Sequence, residues 1–452
     1  MSTALDSARP TPIGTSDGEV PRGHPRGLYL LFFTEMWERM SYYGMRALLV
    51  LYMTRATTEG GFGWSKSEAL SIYGSYTGLV YLTPLFGGWL ADRYLGQRRA
   101  VFIGGALMVA GHFLMAVPGS FAFFAALGLL IAGNGFFKPN ISTMVGGLYK
   151  EGDARRDGGF TIFYMGINIG AFLSPLICGT LGEKVGFHWG FGSAGVGMLL
   201  GQIIYMWGGN RFLGDLGKRP GGARQSDTKG QAERKPLTKE EVDRITVILV
   251  LACFTIFFWA AFEQAGGLMN LYTDEKVNRM LLGWEVPTTW FQSLNPAFIV
   301  LLGPIFAMLW VRLGKRGMDP STPLKFAFAL VALALGFVLM VFAAKESASL
   351  GKANMGWVVG AYLFHTIGEL CLSPVGLSMV TKLAPLRYGS MMMGVWFFSN
   401  SVADKLSGTI GAYAEHLGEV QLFGAIAVAT SVAGVVLFLI ARPLNRRMHG
   451  VH

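Results

Sequence analysis

The chain has 452 residues, of which 52% are hydrophobic and only 15% are charged, and its formal net charge is +10. Soluble proteins of this length are about a quarter charged, so the composition argues against a soluble protein. The three cysteines lie in apolar segments and lack the spacing of metal ligands or of a disulfide framework.

Apolar runs recur along the whole chain, and each is long enough for a helix to cross the ~30 Å hydrocarbon layer of a bilayer. We predict an all-α membrane protein with twelve transmembrane helices in two six-helix bundles, residues 27–211 and 244–442. The polar, basic stretch 212–243 is predicted to be a flexible linker, and residues 1–26 and 443–452 to be tails.

Most lysines and arginines outside the spans fall on the side that holds both termini and the linker. The positive-inside rule therefore predicts cytoplasmic tails in a multi-pass protein of the cell (inner) membrane. The basic surplus is then a topology signal with some attraction to membrane lipid, and we expect no nucleic-acid partner.

The first span contains the stretch EMWERMSYYG, residues 35–44, which is unusually polar for a membrane helix. Its ionisable side chains, with the arginine that follows, are Glu35, Glu38, Arg39, Tyr42, Tyr43 and Arg46. On an α-helix they occupy one arc of about 140°. A charge in mid-bilayer costs at least ~2.5–3.5 kcal/mol, so this face must contact protein or a water-filled cavity. An ion-pair network that only fixes helix packing is the alternative, although buried pairs stabilise weakly.

The loop after the second span reads GGWLADRYLGQRRA, residues 87–100. It resembles the cytoplasmic loop between spans 2 and 3 of the major facilitator superfamily, with one extra residue before Gly96. The resemblance implies a gating or structural role for Asp92, which would accept hydrogen bonds from backbone N–H groups at a neighbouring helix terminus. Arg93, Arg98 and Arg99 would face the cytoplasm or lipid phosphate. An ordinary basic loop is the alternative.

Four stretches together give a closer resemblance. EMWERMSYYG is similar to the E-x-x-E-R-F-x-Y-Y-G signature of the proton-coupled oligopeptide transporter family, with Met40 in place of the usual Phe. Similar blocks of the family follow in order: GNGFFKPNIS (133–142), FYMGINIGAF (163–172) and GELCLSPVG (368–376). Bacterial relatives often insert two helices between the halves, but the linker here is too short and polar for them.

The family resemblance implies a binding site for di- and tripeptides between the two halves. The residues that match its peptide-contact positions are Tyr42, Tyr43, Arg46, Tyr81, Lys138, Tyr164, Asn168, Asn295, Glu369, Trp396 and Asn400. The tyrosines, Trp396, Asn168 and Asn295 could instead be packing residues or interhelical hydrogen-bond partners. Mid-membrane charge supports the site, because the N-terminal half has a positive remainder and the C-terminal half holds Glu263 and Glu369. A peptide carboxylate near Arg46 and Lys138, and its ammonium near Glu369, would match that field.

Proton coupling is assigned to Glu35, Glu38, Arg39, Lys138 and Glu263, since buried carboxylates beside basic groups can load and release protons. We expect Glu35 and Glu38 to alternate between Arg39 and Lys138. By resemblance, Lys66 and Glu263 form an outer gate. The expected mechanism is alternating access by the two halves, driven by protons, without a cofactor or a metal.

Other functions remain as alternatives. A major facilitator transporter of another small solute, such as nitrate, a drug or a sugar, is the first, although an anion carrier has no need of an acidic ammonium site. An intramembrane enzyme would need a nucleophile–base pair or metal ligands, and a receptor would usually carry a signalling domain. We expect no enzymatic activity, and we expect a monomer.

Overall fold

The computed structural model describes residues 23–150, 153, 155–220, 237–385 and 388–450. Most of the predicted N-terminal tail and the centre of the predicted linker lie outside these residues. Six long helices form the first half: α1 (Arg26–Thr54), α2 (Lys66–Leu90), α3 (Gln97–Met115), α4 (Ser120–Gly147), α5 (Arg156–Ser174) and α6 (Phe187–Phe212). Six form the second: α7 (Lys239–Phe262), α8 (Leu294–Lys315), α9 (Thr322–Leu350), α10 (Met355–Leu383), α11 (Gly389–Ala412) and α12 (Glu419–Arg447).

Several of these helices are extended or interrupted. A π-helical turn, Pro175–Gly179, joins α5 to Thr180–Lys184, and a 3₁₀ turn, Glu263–Ala265, leads from α7 to the short helix Leu268–Lys276. The 3₁₀ helix Thr288–Ser293 leads into α8, and Ala414–Leu417 follows α11. Strand β1 (Val277–Asn278) pairs in parallel with β4 (Ala353–Asn354), and β2 (Met280–Leu281) pairs antiparallel with β3 (Trp284–Glu285).

The helical fold agrees with the prediction, and eight of the twelve helices are long and apolar enough to cross a membrane within the described residues. The other four, α1, α2, α6 and α11, have 24 to 29 residues but are more polar. The predicted start of the second bundle at residue 244 is five residues late. The Thr238 side chain and Glu241 form a capping box, so α7 already begins at Lys239. Helix α12 likewise continues through Pro443.

Each half has its own hydrophobic core, as expected for two six-helix bundles. One cluster of buried side chains runs from Leu28 to Leu213, joined by Leu271, and the other runs from Val247 to Met448. Between the halves, α2 packs closely on α11, because a Cβ on Gly74 would lie 2.6 Å from the Cα of Gly408. Small residues allow this approach of two helix backbones.

Polar contacts join the halves at the face of the bundle opposite the termini. The Glu183 carboxylate, after α5, accepts hydrogen bonds from the backbone N–H groups of Thr288 (2.8 Å) and Thr289 (2.9 Å) in the other half. Arg55 at the end of α1 pairs with Asp274 at 2.8 Å. These contacts close that face in this structure.

The loop between α2 and α3 differs from its expected form. Residues Ala91–Leu95 form a π-helical turn, which accommodates the extra residue before Gly96. Asp92 is exposed and has no hydrogen bond in the described structure, so its expected bond to a helix terminus is wrong. Arg98 fastens the loop instead: its guanidinium donates to the Gly214 carbonyl and to Asn210, both at 2.8 Å.

Candidate functional site

A cavity of about 210 Å³ lies between the two halves. The predicted site residues that line it are Tyr43, Arg46, Tyr81, Tyr164, Asn168, Glu263, Asn295 and Glu369. They come from α1, α2 and α5 on one side, and from α8, α10 and the end of α7 on the other. The family motifs of both halves therefore meet at one space.

Three charged side chains on α1 form a compact cluster. Arg39 donates to both carboxylate oxygens of Glu38, with Nη2–Oε1 at 2.7 Å, and its Nε lies 3.2 Å from Glu35 Oε1. All three are buried. The second oxygen of Glu35, Oε2, is buried without a hydrogen-bond partner among the described residues. This oxygen could bind a proton or accept a hydrogen bond.

A second cluster connects the halves. Arg46 on α1 forms an ion pair with Glu263 at the end of α7, and its Nε donates to the Tyr73 hydroxyl at 2.6 Å. Arg46 and Glu263 are both buried. The guanidinium that was expected to be free for a peptide carboxylate is thus neutralised by the opposite half. The expected positive pole of the N-terminal half is weaker than predicted in this structure.

Glu369 lies on the C-terminal side of the cavity. Asn295 donates from Nδ2 to Glu369 Oε2 at 2.8 Å and to the Thr366 hydroxyl at 3.1 Å. Within the described part of the chain, Glu369 has no basic side chain within ion-pair distance. The cavity therefore contains a carboxylate that an ammonium group could contact.

Lys138 does not line the cavity beside Arg46, where a peptide carboxylate was expected to contact both. Its Nζ lies 4.1 Å from the centroid of the Tyr81 ring, and Lys138 itself is absent from the cavity lining. Glu35 and Glu38 both pair with Arg39, so the expected alternation with Lys138 is not seen in this single structure. The negative face of an aromatic ring attracts an ammonium group, so Tyr81 is the contact that positions Lys138 in this structure.

Three other predicted contact residues also lie outside the cavity lining. Tyr42 is buried beside Arg39, whose Cζ is 5.2 Å from the ring centroid, and its hydroxyl has no partner among the described residues. Trp396 packs on α10, where a Cβ on Gly376 would lie 2.6 Å from its ring. Asn400 is half-buried, with its Oδ1 unpartnered. Trp396 is buried in this structure.

The predicted outer pair of Lys66 and Glu263 is wrong here. Lys66 pairs with Glu275 on the short helix after α7, while Glu263 is held by Arg46. Eleven residues lie between the two glutamates in the chain, and it is Glu275 that lies beside Lys66 at the closed face. Lys66 still connects the two halves, as a gate residue would.

Several lining residues were missed by sequence reasoning: Trp259, Phe262, Gln292, Tyr362 and, as a site residue, His365. A helical period could have found some of them. Tyr362, His365 and Glu369 are spaced i, i+3 and i+7 on α10, which places them on one face. Tyr73 is also missed, because nothing in its sequence context distinguishes it from the neighbouring tyrosines of α2.

Comparison with known proteins identifies the family of the chain. The model of the POT family matches residues 98–217 and 223–424. The chain is 40% identical to the uncharacterized transporter YclF of Bacillus subtilis (strain 168), over 95% of this chain and 96% of that protein. It is 37% identical to the peptide transporter YePEPT of Yersinia enterocolitica, over 97% and 98% of the two chains. The chain therefore belongs to the POT family of membrane transporters.

Solved structures give the same result. The crystal structure of a mutant of the peptide transporter POT in complex with alafosfalin superposes with a TM-score of 0.88 at 39% identity. The match covers 95% of this chain and 97% of that one. The backbone fold of the chain is thus similar to that of a solved peptide transporter.

Proposed function

We propose that the protein is a proton-coupled symporter that imports di- and tripeptides by alternating access. The observation that carries the proposal is the ion pair of Arg46 and Glu263, which crosses the cavity between the halves. The substrates named for relatives, among them the peptide transporter of Yersinia enterocolitica, support the choice of peptides. The termini are proposed to be cytoplasmic, in the cell membrane, and the protein to act as a monomer.

The ion pair suggests how a proton and a peptide could be coupled. Protonation of the Glu263 carboxylate removes its negative charge and releases Arg46. The freed guanidinium can then bind a peptide carboxylate through two parallel hydrogen bonds. The peptide ammonium would contact Glu369, which the Asn295 amide orients. Binding of a proton and binding of a peptide therefore favour each other, because each weakens the ion pair between Arg46 and Glu263.

The α1 cluster supplies a second site for protons. Glu35 and Glu38 share one arginine, and Glu35 Oε2 lacks a partner among the described residues. Two carboxylates against one guanidinium leave one negative charge uncompensated in a buried place, which favours the uptake of one proton. Lys138, over Tyr81, is proposed to pair with this cluster in another state of the cycle.

Reconstitution tests the proposal directly. Purified protein in liposomes, with the interior more alkaline than the exterior, should accumulate labelled di-alanine above its external concentration. Unlabelled di- and tripeptides should compete, whereas nitrate and glucose should not. Accumulation that ignores both the pH gradient and added peptides would overturn the proposed function.

A further inference from the structure

A second cavity, of about 330 Å³, opens on the face that holds the termini, between the start of α3 and the end of α6. Its lining residues are Arg98, Arg99, Phe102, Tyr205, Met206, Asn210 and Lys218. Three of these seven are basic and none is acidic. None of these residues lines the central cavity, and the proposed transport cycle does not use them.

The basic side chains of this cavity differ in how far their charge is compensated. Arg98 donates to the Gly214 carbonyl and to Asn210, and neither of these neutral acceptors offsets the positive charge of the guanidinium. Arg99 is exposed and has no ion pair within the described residues. Lys218 pairs with Asp215 at 2.9 Å, but the Asp215 side chain is 97% exposed, and water weakens such a pair.

Asp215 is the carboxylate that lies next to the basic side chains of this cavity. The hydrogen bond from Lys218, together with the charges of Arg219 and Arg98, lowers the pKa of Asp215. It is therefore ionised at neutral pH and offsets a single positive charge. The cavity retains a surplus of positive charge at its mouth.

The other wall of the cavity is apolar and faces outward. Phe102 on α3 is 44% exposed and Met206 on α6 is 50% exposed, and Trp207 is more exposed still. Such side chains on a membrane helix contact acyl chains, and a tryptophan near a helix end is typical of the interfacial region. A ligand that satisfies both walls carries a negative charge and a hydrocarbon chain.

We propose that this cavity binds the phosphate of an anionic phospholipid, with Arg98, Arg99 and Lys218 around the headgroup and an acyl chain along Phe102 and Met206. The Arg98 backbone N–H also donates to the Gly217 carbonyl at 2.9 Å. A lipid held there would brace the start of α3 against the turn that follows α6. Basic pockets at the interfacial ends of membrane helices recognise lipid headgroups in this way.

Native mass spectrometry of the full chain, titrated with phosphatidylglycerol or phosphatidylcholine, tests the site. The double substitution Arg99→Gln with Lys218→Gln should weaken phosphatidylglycerol binding about fivefold for each charge removed. Both side chains are exposed, so we expect the variant to fold and to bind dipeptide as the parent does. Arg93→Gln is the matched control: Arg93 is an exposed arginine of the same loop but lies outside the cavity lining.

Three results would overturn the proposal. The first is equal binding of phosphatidylglycerol by the parent and the double variant, and the second is equal binding of phosphatidylcholine and phosphatidylglycerol by the parent. The third is displacement of phosphatidylglycerol by inorganic phosphate at the same free concentration, because the ligand would then be soluble phosphate rather than a lipid. Failure of peptide uptake in liposomes would leave this measurement unaffected.

Discussion

Two groups of buried charges lie on α1 and differ in what they connect. Glu35 and Glu38 both pair with Arg39 inside a single helix, whereas Arg46 pairs with Glu263 of the other half. Relative motion of the halves need not disturb the first group but must break the second. A charge cluster within a rigid element can hold protons in every state, whereas a pair between elements also reports which state is present.

The first and largest expected effect concerns the cluster within α1. Glu38→Gln leaves Arg39 with Glu35 as its carboxylate partner, so the extra proton no longer has a site. We expect gradient-driven accumulation of di-alanine to fall to the level without a gradient, while counterflow exchange of peptide continues. Glu35→Gln should behave likewise.

Glu68→Gln is the control for these two variants, because Glu68 is an exposed carboxylate at the start of α2. It should accumulate peptide as the parent does. Full driven uptake in Glu38→Gln would refute a coupling role for this cluster. Loss of counterflow as well would mean that the substitution damages the transporter as a whole.

The pair between the halves gives the second prediction. Arg46→Ala leaves Glu263 buried without its partner, and breaking a buried pair in this way costs about 3–5 kcal/mol. We expect dipeptide affinity, measured by calorimetry on purified protein, to fall at least tenfold and thermal stability to fall with it. Adding Glu263→Gln should restore part of the stability but not the affinity, because the orphaned charge is gone while the peptide carboxylate still lacks Arg46.

The closed face supplies a third, smaller effect. Glu183→Gln keeps an oxygen for Thr288 or Thr289 but loses the carboxylate's charge and one acceptor position. We expect the closed arrangement to lose about 1–3 kcal/mol. Spin labels on the exposed positions 59 and 282, in a background without native cysteines, would report this as a larger population of long distances. An unchanged distance distribution would contradict a latch at Glu183.

Only the ion pairs within one helix could be predicted from the sequence. The Glu35–Arg39 pair follows from helical spacing alone, and the structure confirms it. Lys66 and Glu263 carry the right charges for a pair, yet Lys66 pairs with Glu275. That choice depends on how the chain turns after α7, where a 3₁₀ turn and a short helix intervene. Local periodicity contains no information about it.

The residues that line the cavity were likewise predictable only in part. Residues within the quoted motifs of α1, α5 and α10, such as Tyr43, Asn168 and Glu369, reach the cavity as predicted. Trp396 and Asn400, on α11, do not line the cavity in this structure. The close packing of α11 on α2, through Gly74 and Gly408, sets the rotation of α11 and so which of its faces meets the cavity. Two backbones in such close contact fix which face of each helix is turned toward the site.

Tyr73 gives the smallest expected effect and the sharpest control. Its hydroxyl accepts from Arg46 Nε at 2.6 Å, so Tyr73→Phe removes one hydrogen bond from a charged donor and nothing else. Such a bond contributes about 1.5–3 kcal/mol, part of which water in the cavity would replace, so we expect dipeptide affinity to change about threefold to tenfold. Tyr76→Phe removes a hydroxyl one helical turn away that is buried and has no hydrogen-bond partner among the described residues, and it should leave affinity unchanged. Equal effects of the two substitutions would mean that the Tyr73 hydroxyl does not orient Arg46, and that the ion pair with Glu263 alone determines where the guanidinium lies.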